Sequence, residues 1–276
     1  MTNEEILKIY YEEYINGDST IVIGKRHNIH YSTLRNRFIK LGLKLRSNKE
    51  NSRKYFCNDN IFSNIDTPEK AYWIGFLSAD GYISNVKGNG KKVGLALSIK
   101  DKGHLEKFKK FISATYPIHE YISSGFSCAK YCRIVVSSEK MFDDLCRIGI
   151  VENKTNVLNS PKNIPNNLLR YYILGYFDGD GSIFLNHSKY PFYSINIVGT
   201  DEICNFVNNF LLDNNIISNS AKIEKRNKEQ MVSYIRFGGN NMVSKILEFL
   251  YDGIDKEVPL KRKYEMYIKC VNRIFD

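Results

Sequence analysis

Apolar positions in the first part of the chain recur at the spacing of an α-helix. Leu34, Phe38 and Leu41 occupy positions i, i+4 and i+7, so they predict the inward side of a helix that begins near Ser32. Gly42 is expected to end this helix, because glycine readily takes the left-handed conformation found after helix ends. The pattern predicts a short amphipathic helix with a polar outer side.

Two further helices are predicted before it. Residues 4–14 form the first, and the second runs from a cap at Asp18 or Ser19 to about His27. A tight turn then separates the second helix from the third. Residues 1–46 therefore predict a small all-α domain.

The rest of the chain contains an internal repeat. Residues 47–64 are polar without periodicity and predict a linker. Beyond it, WIGFLSADG at residues 73–81 matches ILGYFDGDG at residues 173–181, 100 positions later. Residues 95–99 and 195–199 continue the match. Each half predicts the order helix, two strands, helix, two strands, helix.

The repeat predicts an α+β fold class. Residues 65–160 form the first αββαββα unit and residues 161–276 form the second. Short connections join the two units.

Composition and charge narrow the class of protein. The chain has 276 residues, of which 43% are hydrophobic, so it can bury a core and exceeds the usual size of one domain. The formal net charge of +10 favours a polyanionic partner, either nucleic acid or an anionic membrane surface. Six cysteines without a CxxC pair suggest neither a zinc site nor a disulfide framework. Without an apolar run of roughly 18 residues or a basic leader, we expect a soluble intracellular protein, cytoplasmic or in an organellar matrix.

Positive charge is concentrated in the predicted helical domain. Residues 18–54 carry ten Lys or Arg and two acids, and Arg35, Arg37 and Lys40 point outward from the third helix. A tight turn before a basic third helix resembles a helix-turn-helix, whose last helix lies in the major groove. We expect these three side chains and Arg46 to contact DNA. The alternative is a helical cap with a solvated basic face.

The duplicated nine-residue pattern ending in Asp-Gly resembles the LAGLIDADG family of homing endonucleases. The resemblance covers residues 65–276 and leaves the helix-turn-helix as an added module. It implies a pseudo-two-fold saddle, in which the motif helices pack side by side and two four-stranded antiparallel sheets straddle double-stranded DNA. It also implies a monomer, without an obligate protein partner, that cuts both strands of its target. The halves differ at Tyr82 against Ser182 and at Ser84 against Phe184, which predicts a long asymmetric target. The abundance of Asn, Ile, Lys and Tyr indicates an AT-rich genome, so an intron or phage mobile element is the expected source.

The residue types of the two motifs fit that geometry. Gly75 and Gly175 lack side chains, so two helices can cross with their backbones close together. Asp80 and Asp180 then project from adjacent helix ends, near negative dipole poles, where two carboxylates are costly unless a cation neutralises them. An Asp before Gly can also be only a turn former, but duplication argues against coincidence.

The two motifs differ at one position. Ser78 stands in the first motif where Asp178 stands in the second, and the family does not use this position as a metal ligand. An EF-hand loop starting at Asp178 would need glycine at Ile183 and glutamate at Lys189, so that reading fails.

The resemblance also implies the metal site and its chemistry. Asp80 and Asp180 are the expected catalytic carboxylates, and they bind the metal with the backbone carbonyls of Ala79 and Gly179. Mg²⁺ or Mn²⁺ is expected to support in-line phosphodiester hydrolysis, whereas Ca²⁺ is expected to bind without supporting it.

A basic residue near each scissile phosphate is a further implication. Lys154 is the candidate before the second motif, and Lys263 is its counterpart near the C-terminus, where Lys261 competes for the role. The alternative for each lysine is a solvated surface charge.

Target recognition is expected on the strand faces opposite the core. In the second unit Ile183, Leu185, Ile195 and Ile197 are predicted to point inward, so the residues between them face the other way. Side chains there can reach base edges or phosphates, unless the sheet merely faces solvent. The predicted contacts from the sheets are Tyr82, Ser84, Arg133, Ser182, Phe184, Asn186, Ser194, Asn196 and Arg236.

Three functions are compatible with these features. A site-specific, magnesium-dependent DNA endonuclease is the leading hypothesis, with the helix-turn-helix extending its footprint. An RNA-splicing maturase of the same fold would find little use for a helix-turn-helix. A transcription regulator without catalysis would tolerate loss of the acidic residues, and this chain retains both.

Overall fold

Two compact units make up the chain in the computed structural model. The first unit comprises Met1–Asn58 and Ile112–Tyr116, and the second comprises Asp59–Phe111 and Pro117–Asp276. No helix in the described part of the chain is long and apolar enough to cross a membrane. The structure describes residues 2–15, 17–46, 54–87, 90–123, 128–225 and 232–275.

Three helices form the first unit, as predicted. Ser19 begins the second of them, because its hydroxyl accepts a hydrogen bond from the Val22 amide at 3.2 Å. Leu34 and Phe38 are fully buried, and Leu41 packs against them half-buried. The helices are α1 (Asn3–Ile15), α2 (Thr20–Arg26) and α3 (Tyr31–Lys40).

The first unit extends beyond its helices. Residues 54–58 belong to it, and the Phe56 amide donates a hydrogen bond of 2.8 Å to the Thr115 hydroxyl. Part of the predicted linker at residues 47–64 is therefore packed structure. Residues 47–53 of that prediction lie outside the described residues.

The second unit contains the predicted αββαββα order twice. The first copy consists of α4 (Pro68–Ala79), β1 (Gly81–Val86), β2 (Gly90–Ser98), α5 (Lys102–Phe111), β3 (His119–Ile122), β4 (Lys130–Ser137) and α6 (Glu139–Ile148). The second consists of α7 (Leu169–Asp180), β5 (Gly181–Asn186), β6 (Phe192–Gly199), α8 (Asp201–Asp213), β7 (Ile223–Lys225), β8 (Ser233–Gly238) and α9 (Asn240–Tyr251). A last helix, α10 (Lys261–Val271), follows the second copy.

Each copy carries one four-stranded antiparallel sheet. The strand orders are β1-β2-β4-β3 and β5-β6-β8-β7, so the two sheets have the same topology. Their registers also agree, since Ala96 pairs with Arg133 in the first sheet and Asn196 pairs with Arg236 in the second. The predicted fold class, a duplicated α+β unit after a small helical unit, is confirmed.

The core side of the second sheet only partly follows the predicted alternation. Ile195 and Ile197 are buried, at 0% and 1% exposure. Ile183 and Leu185 were also predicted to point into the core, but both are only half-buried. They lie on β5, an edge strand that has a neighbouring strand on one side only.

Candidate active site at the ends of the paired motif helices

Two glycines set the distance between α4 and α7. A Cβ added to Gly75 would lie 1.9 Å from the carbonyl oxygen of Tyr172, and one added to Gly175 would lie 1.9 Å from that of Tyr72. Real Cβ atoms essentially never approach closer than 3.0 Å, so only glycine fits. The two helices therefore cross with their backbones in contact, and the equal distances reflect the duplication.

This crossing brings Asp80 and Asp180 to adjacent helix ends. Asp80 follows the last residue of α4, and Asp180 is the last residue of α7. The Asp80 Oδ2 atom lies 3.4 Å from the point where a Cβ on Gly179 would stand. Burial, and then repulsion by Asp180, raises the pKa of Asp80 to about 6, and burial also raises the pKa of Asp180. Desolvated carboxylates so placed favour a proton or a cation.

A lysine lies against the end of each motif helix. Lys154 Nζ donates a hydrogen bond of 2.6 Å to the carbonyl oxygen of Ala79. Lys263 is 3% exposed, and its Nζ donates at 2.5–2.7 Å to the carbonyl oxygens of Phe177, Asp178 and Gly181. Helix C-termini leave carbonyl groups unsatisfied and carry negative partial charge, so a buried ammonium stabilises this end of α7.

Burial lowers the pKa of both lysines, and the nearby carboxylates oppose that shift. The pKa of Lys263 falls to about 8, and that of Lys154 also falls. Lys261, the alternative to Lys263, is an exposed residue whose side chain is 84% accessible and 3.9 Å from Glu265. Lys263 is therefore the lysine of α10 that lies beside the carboxylates.

The atoms available to a metal at this place are oxygens. Asp80 and Asp180 supply carboxylates, and the backbone supplies the carbonyls of Ala79 and Gly179. A carbonyl oxygen has two lone pairs, so the Ala79 oxygen can accept from Lys154 and still face a cation. Among the described residues no cluster of three or more His, Cys, Asp or Glu side chains could hold a metal. The donor set fits a hard, oxygen-preferring cation such as Mg²⁺ and does not fit zinc.

The outer face of the first sheet carries the predicted aromatic and basic side chains. Tyr82 lies over Gly94 of the neighbouring strand, where a Cβ would come within 2.2 Å of its ring. The Arg133 guanidinium lies 5.2 Å from the centre of the Tyr121 ring on the same face. Ser84 is half-buried beside them. These side chains form one stacked, positively charged surface.

The second sheet has a comparable surface. The Arg236 Nε atom donates a hydrogen bond of 3.0 Å to the Asn196 side-chain oxygen, and the guanidinium lies 5.6 Å from the centre of the Phe184 ring. Ser182 is exposed at the start of β5.

Two predicted contacts on this sheet are less accessible than expected. Ser194 lies on the predicted face but is only 3% exposed, and its hydroxyl accepts a hydrogen bond of 2.8 Å from Asn186. The Asn186 amide also donates to the Phe192 carbonyl at 3.1 Å. Alternation predicts the face of a residue but not its burial, so Ser194 supports Asn186 rather than standing at the surface.

The four basic residues predicted to contact DNA from the helical unit separate into two groups. Arg35, Arg37 and Lys40 are exposed on α3, as expected. Arg46 differs, because its guanidinium lies 4.2 Å from the Tyr14 ring centre and donates to the carbonyl of Gly17 at 3.1 Å. These contacts give Arg46 a structural role within the unit.

Solved structures share the architecture of most of this chain. The homing endonuclease I-WcaI bound to its DNA recognition sequence matches 82% of this chain and 96% of its own, with a TM-score of 0.54 and 18% sequence identity. Meganuclease I-SmaMI bound to uncleaveable DNA matches 75% and 91%, with a TM-score of 0.52 and 13% identity. The chain has the LAGLIDADG homing endonuclease fold. Both motif helices of this fold belong to one polypeptide here.

Comparison of the sequence with known proteins gives little information beyond this structural similarity. No protein-family model matches the sequence. A curated relative, the ATP-dependent DNA helicase Hel308 of Methanocaldococcus jannaschii, is 27% identical over 124 residues. That match spans 45% of this chain and 10% of the length of the helicase.

One buried residue beside these carboxylates has a role that sequence reasoning does not find. Asp178 is fully buried and accepts hydrogen bonds from the hydroxyls of Tyr72 and Tyr251 and from the Leu260 amide. Burial raises its pKa, while Lys263 and these three donors oppose the shift. In the sequence, the difference between Ser78 and Asp178 at the same position of the two motifs is the signal that could have indicated a role specific to the second motif.

Proposed function

We propose that this protein is a site-specific double-stranded DNA endonuclease with a LAGLIDADG active site. The observation that carries the proposal is the pair of desolvated carboxylates, Asp80 and Asp180, at the ends of two crossed helices with a lysine beside each end. Such a pair has little structural use, because its mutual repulsion disfavours the charged state. The DNA complexes of I-WcaI and I-SmaMI, whose fold this chain shares, support a DNA substrate.

The proposed cofactor is Mg²⁺, or Mn²⁺ in its place. Asp80, Asp180 and the carbonyls of Ala79 and Gly179 would hold it, since hard cations prefer oxygen ligands. When bound, such a cation supplies an activated water and stabilises the leaving oxygen of a phosphodiester. We propose that Ca²⁺ binds to the same oxygens without supporting cleavage.

The two lysines would contribute in different ways. In the described part of the chain, Lys154 makes one short hydrogen bond, to Ala79, so further N–H groups can meet a phosphate oxygen. Lys263 directs its ammonium to three carbonyls at 2.5–2.7 Å and to the Gly179 carbonyl at 3.5 Å, and it acts as a fixed positive charge beside Asp180. A preorganised charge of this kind stabilises the negative charge that develops during phosphoryl transfer.

Recognition of a long target would use the outer faces of both sheets. Arg133 stacks on Tyr121 in the first sheet, and Arg236 is oriented by Asn196 in the second. Arginine held in this way can pair with the edge of guanine in the major groove. The exposed basic side chains of α3 would add phosphate contacts as a helix-turn-helix module, and one polypeptide would suffice for activity.

The test is incubation with a randomised duplex library and Mg²⁺, followed by sequencing of the cut ends. Wild-type protein should cut both strands at one preferred sequence. Asp80→Asn and Asp180→Asn should abolish double-strand cleavage and retain binding to the selected duplex. Asp213→Asn, an exposed residue of α8 with the same charge change, is the matched control and should cut normally.

The results also separate the endonuclease from its alternatives. Tight binding to a structured transcript without duplex cleavage would favour the maturase. Specific duplex binding that neither Mg²⁺ nor Mn²⁺ converts into cleavage would favour the regulator, and either result would overturn the proposal.

A further inference from the structure

We propose that Asp178 is a positioning residue, whose buried carboxylate fixes the start of α10 and thereby holds Lys263 at the end of α7. The inference rests on the proposed endonuclease function, and it adds that the two halves of the site are built differently. Asp178 itself has no contact with the substrate in this scheme. It acts through Lys263.

The hydrogen bonds of Asp178 converge from three different elements. Its Oδ2 atom accepts from the Tyr72 hydroxyl of α4 at 2.7 Å and from the Leu260 amide at 2.8 Å. Its Oδ1 atom accepts from the Tyr251 hydroxyl of α9 at 3.1 Å. A carboxylate with no solvent exposure is costly unless it is hydrogen-bonded, so this set of donors holds Asp178 in one arrangement.

The Tyr72 hydroxyl is itself held in place. Its single proton goes to Asp178, so the His104 Nε2 atom, 3.1 Å away, must donate to the Tyr72 oxygen. Burial lowers the pKa of His104 to about 3, so the imidazole is neutral. The network therefore reaches from α5 in the first copy to α10.

Asp178 contacts α10 through its side chain and its backbone. Leu260 directly precedes α10 and has no polar side chain to cap it, so the Asp178 carboxylate meets the positive end of that helix. Lys263 follows Leu260 by less than one helical turn, and its Nζ donates a hydrogen bond of 2.7 Å to the backbone carbonyl of Asp178. The Asp178 side chain thus fixes where α10 begins, and the Asp178 backbone carbonyl accepts a hydrogen bond from Lys263 of that helix.

The first motif has a hydroxyl in place of this carboxylate, and Tyr172, the counterpart of Tyr72, forms a side-chain hydrogen bond with it. Ser78 occupies the position of Asp178, and its hydroxyl donates to the Ile74 carbonyl of its own helix at 2.9 Å. Lys154 lies in a short 3₁₀ turn, Lys154–Asn156, instead of on an anchored helix. Loss of the buried carboxylate should therefore impair one half of the site selectively.

The experiment measures the cleavage of each DNA strand separately. The substrate is the duplex selected from the library, labelled at one end of either strand, with Mg²⁺ present. The variants are Asp178→Asn and Tyr251→Phe. The matched controls are Ser78→Ala and Tyr193→Phe. The Tyr193 hydroxyl donates to the Ile274 carbonyl and not to Asp178. Lys263→Met identifies the strand that depends on Lys263. Hydrogen–deuterium exchange of peptides covering Leu260 gives a readout without substrate.

Asp178→Asn should slow cleavage of the strand that depends on Lys263 by about tenfold to about a hundredfold relative to the other strand, because small displacements of reacting groups have effects of this size. Nicked duplex should then accumulate. Tyr251→Phe should shift the strand ratio in the same direction by a smaller factor. Exchange at Leu260 should accelerate in both variants and stay at the wild-type rate in both controls.

Several results would overturn the inference. Equal slowing of cleavage on both strands would leave Asp178 with a purely structural role. Cleavage of both strands at the wild-type rate would exclude any role of Asp178 in placing Lys263. If Asp178→Asn does not fold, Tyr251→Phe decides by the same two criteria. A wild-type protein that cuts no duplex refutes the proposed function, and exchange at Leu260 then tests the attachment of α10 by itself.

Discussion

Replacing Gly75 by alanine perturbs the contact on which the candidate site depends. The added Cβ would stand 1.9 Å from the Tyr172 carbonyl oxygen, which belongs to a helix backbone and not to a flexible side chain. The two helices would have to separate by about 1 Å to reach an acceptable contact, and close-packed interiors resist such a shift. We expect a loss of about 3 kcal/mol of stability, at the upper end of the usual cost of overpacking.

The chain offers a convenient probe for this measurement. Trp73 is the single tryptophan, and it is fully buried on α4 two residues before Gly75. Its fluorescence during urea or thermal unfolding reports on the motif helix. The expected loss corresponds to a fall in Tm of roughly 6–12 °C for a unit of this size.

Gly103→Ala is the matched control for Gly75→Ala. A Cβ at Gly103, on the exposed side of α5, meets nothing within 4 Å. Alanine there should raise stability by about 0.5–1 kcal/mol, because it loses less backbone freedom on folding. Unfolding of Gly75→Ala at the wild-type midpoint would refute the close backbone crossing of α4 and α7.

Three further predictions follow from the charged groups. The pKa of Asp80 in the folded protein is about 6, above its usual 3.8, so the folded state holds this proton more tightly than the unfolded state. Metal-free protein should lose up to about 3 kcal/mol of stability as pH rises from about 4 to above 6, and Asp80→Asn should remove that loss in urea melts. Arg236→Ala should weaken duplex binding by about 1–3 kcal/mol and relax specificity at one base pair, as read by binding titrations and library cleavage. Arg35→Ala with Arg37→Ala should reduce the slope of log affinity against log salt by about 2, whereas Arg46→Ala should lower the stability of the helical unit and leave that slope unchanged.

The sequence predicted the duplicated fold because its signals are local. Each motif is nine consecutive residues, and strands with alternating apolar positions follow at equal distances. The same local signals predicted the three helices of the first unit, since the apolar spacing and the Ser19 cap lie within a few residues of each other. Such features do not depend on how distant segments meet.

The parts that could not be predicted depend on distant contacts. The donors to Asp178 lie 73, 82 and 106 positions away along the chain, so no local pattern marks them. Lys261 and Lys263 are two positions apart on one helix, and only the packing of α10 places one of them inside. Arg46 has the sequence context of a surface charge, and its role follows from rings and carbonyls supplied by other segments.

In the proposed function, Asp80 and Asp180 share a cation over a phosphodiester backbone. Anomalous diffraction from crystals grown with Mn²⁺ and the selected duplex tests it most directly. We predict a manganese peak within about 2.2 Å of a carboxylate oxygen of both residues and beside the scissile phosphate. A peak bound by one of the two alone, or manganese elsewhere in the complex with none at these helix ends, would contradict a shared cation site.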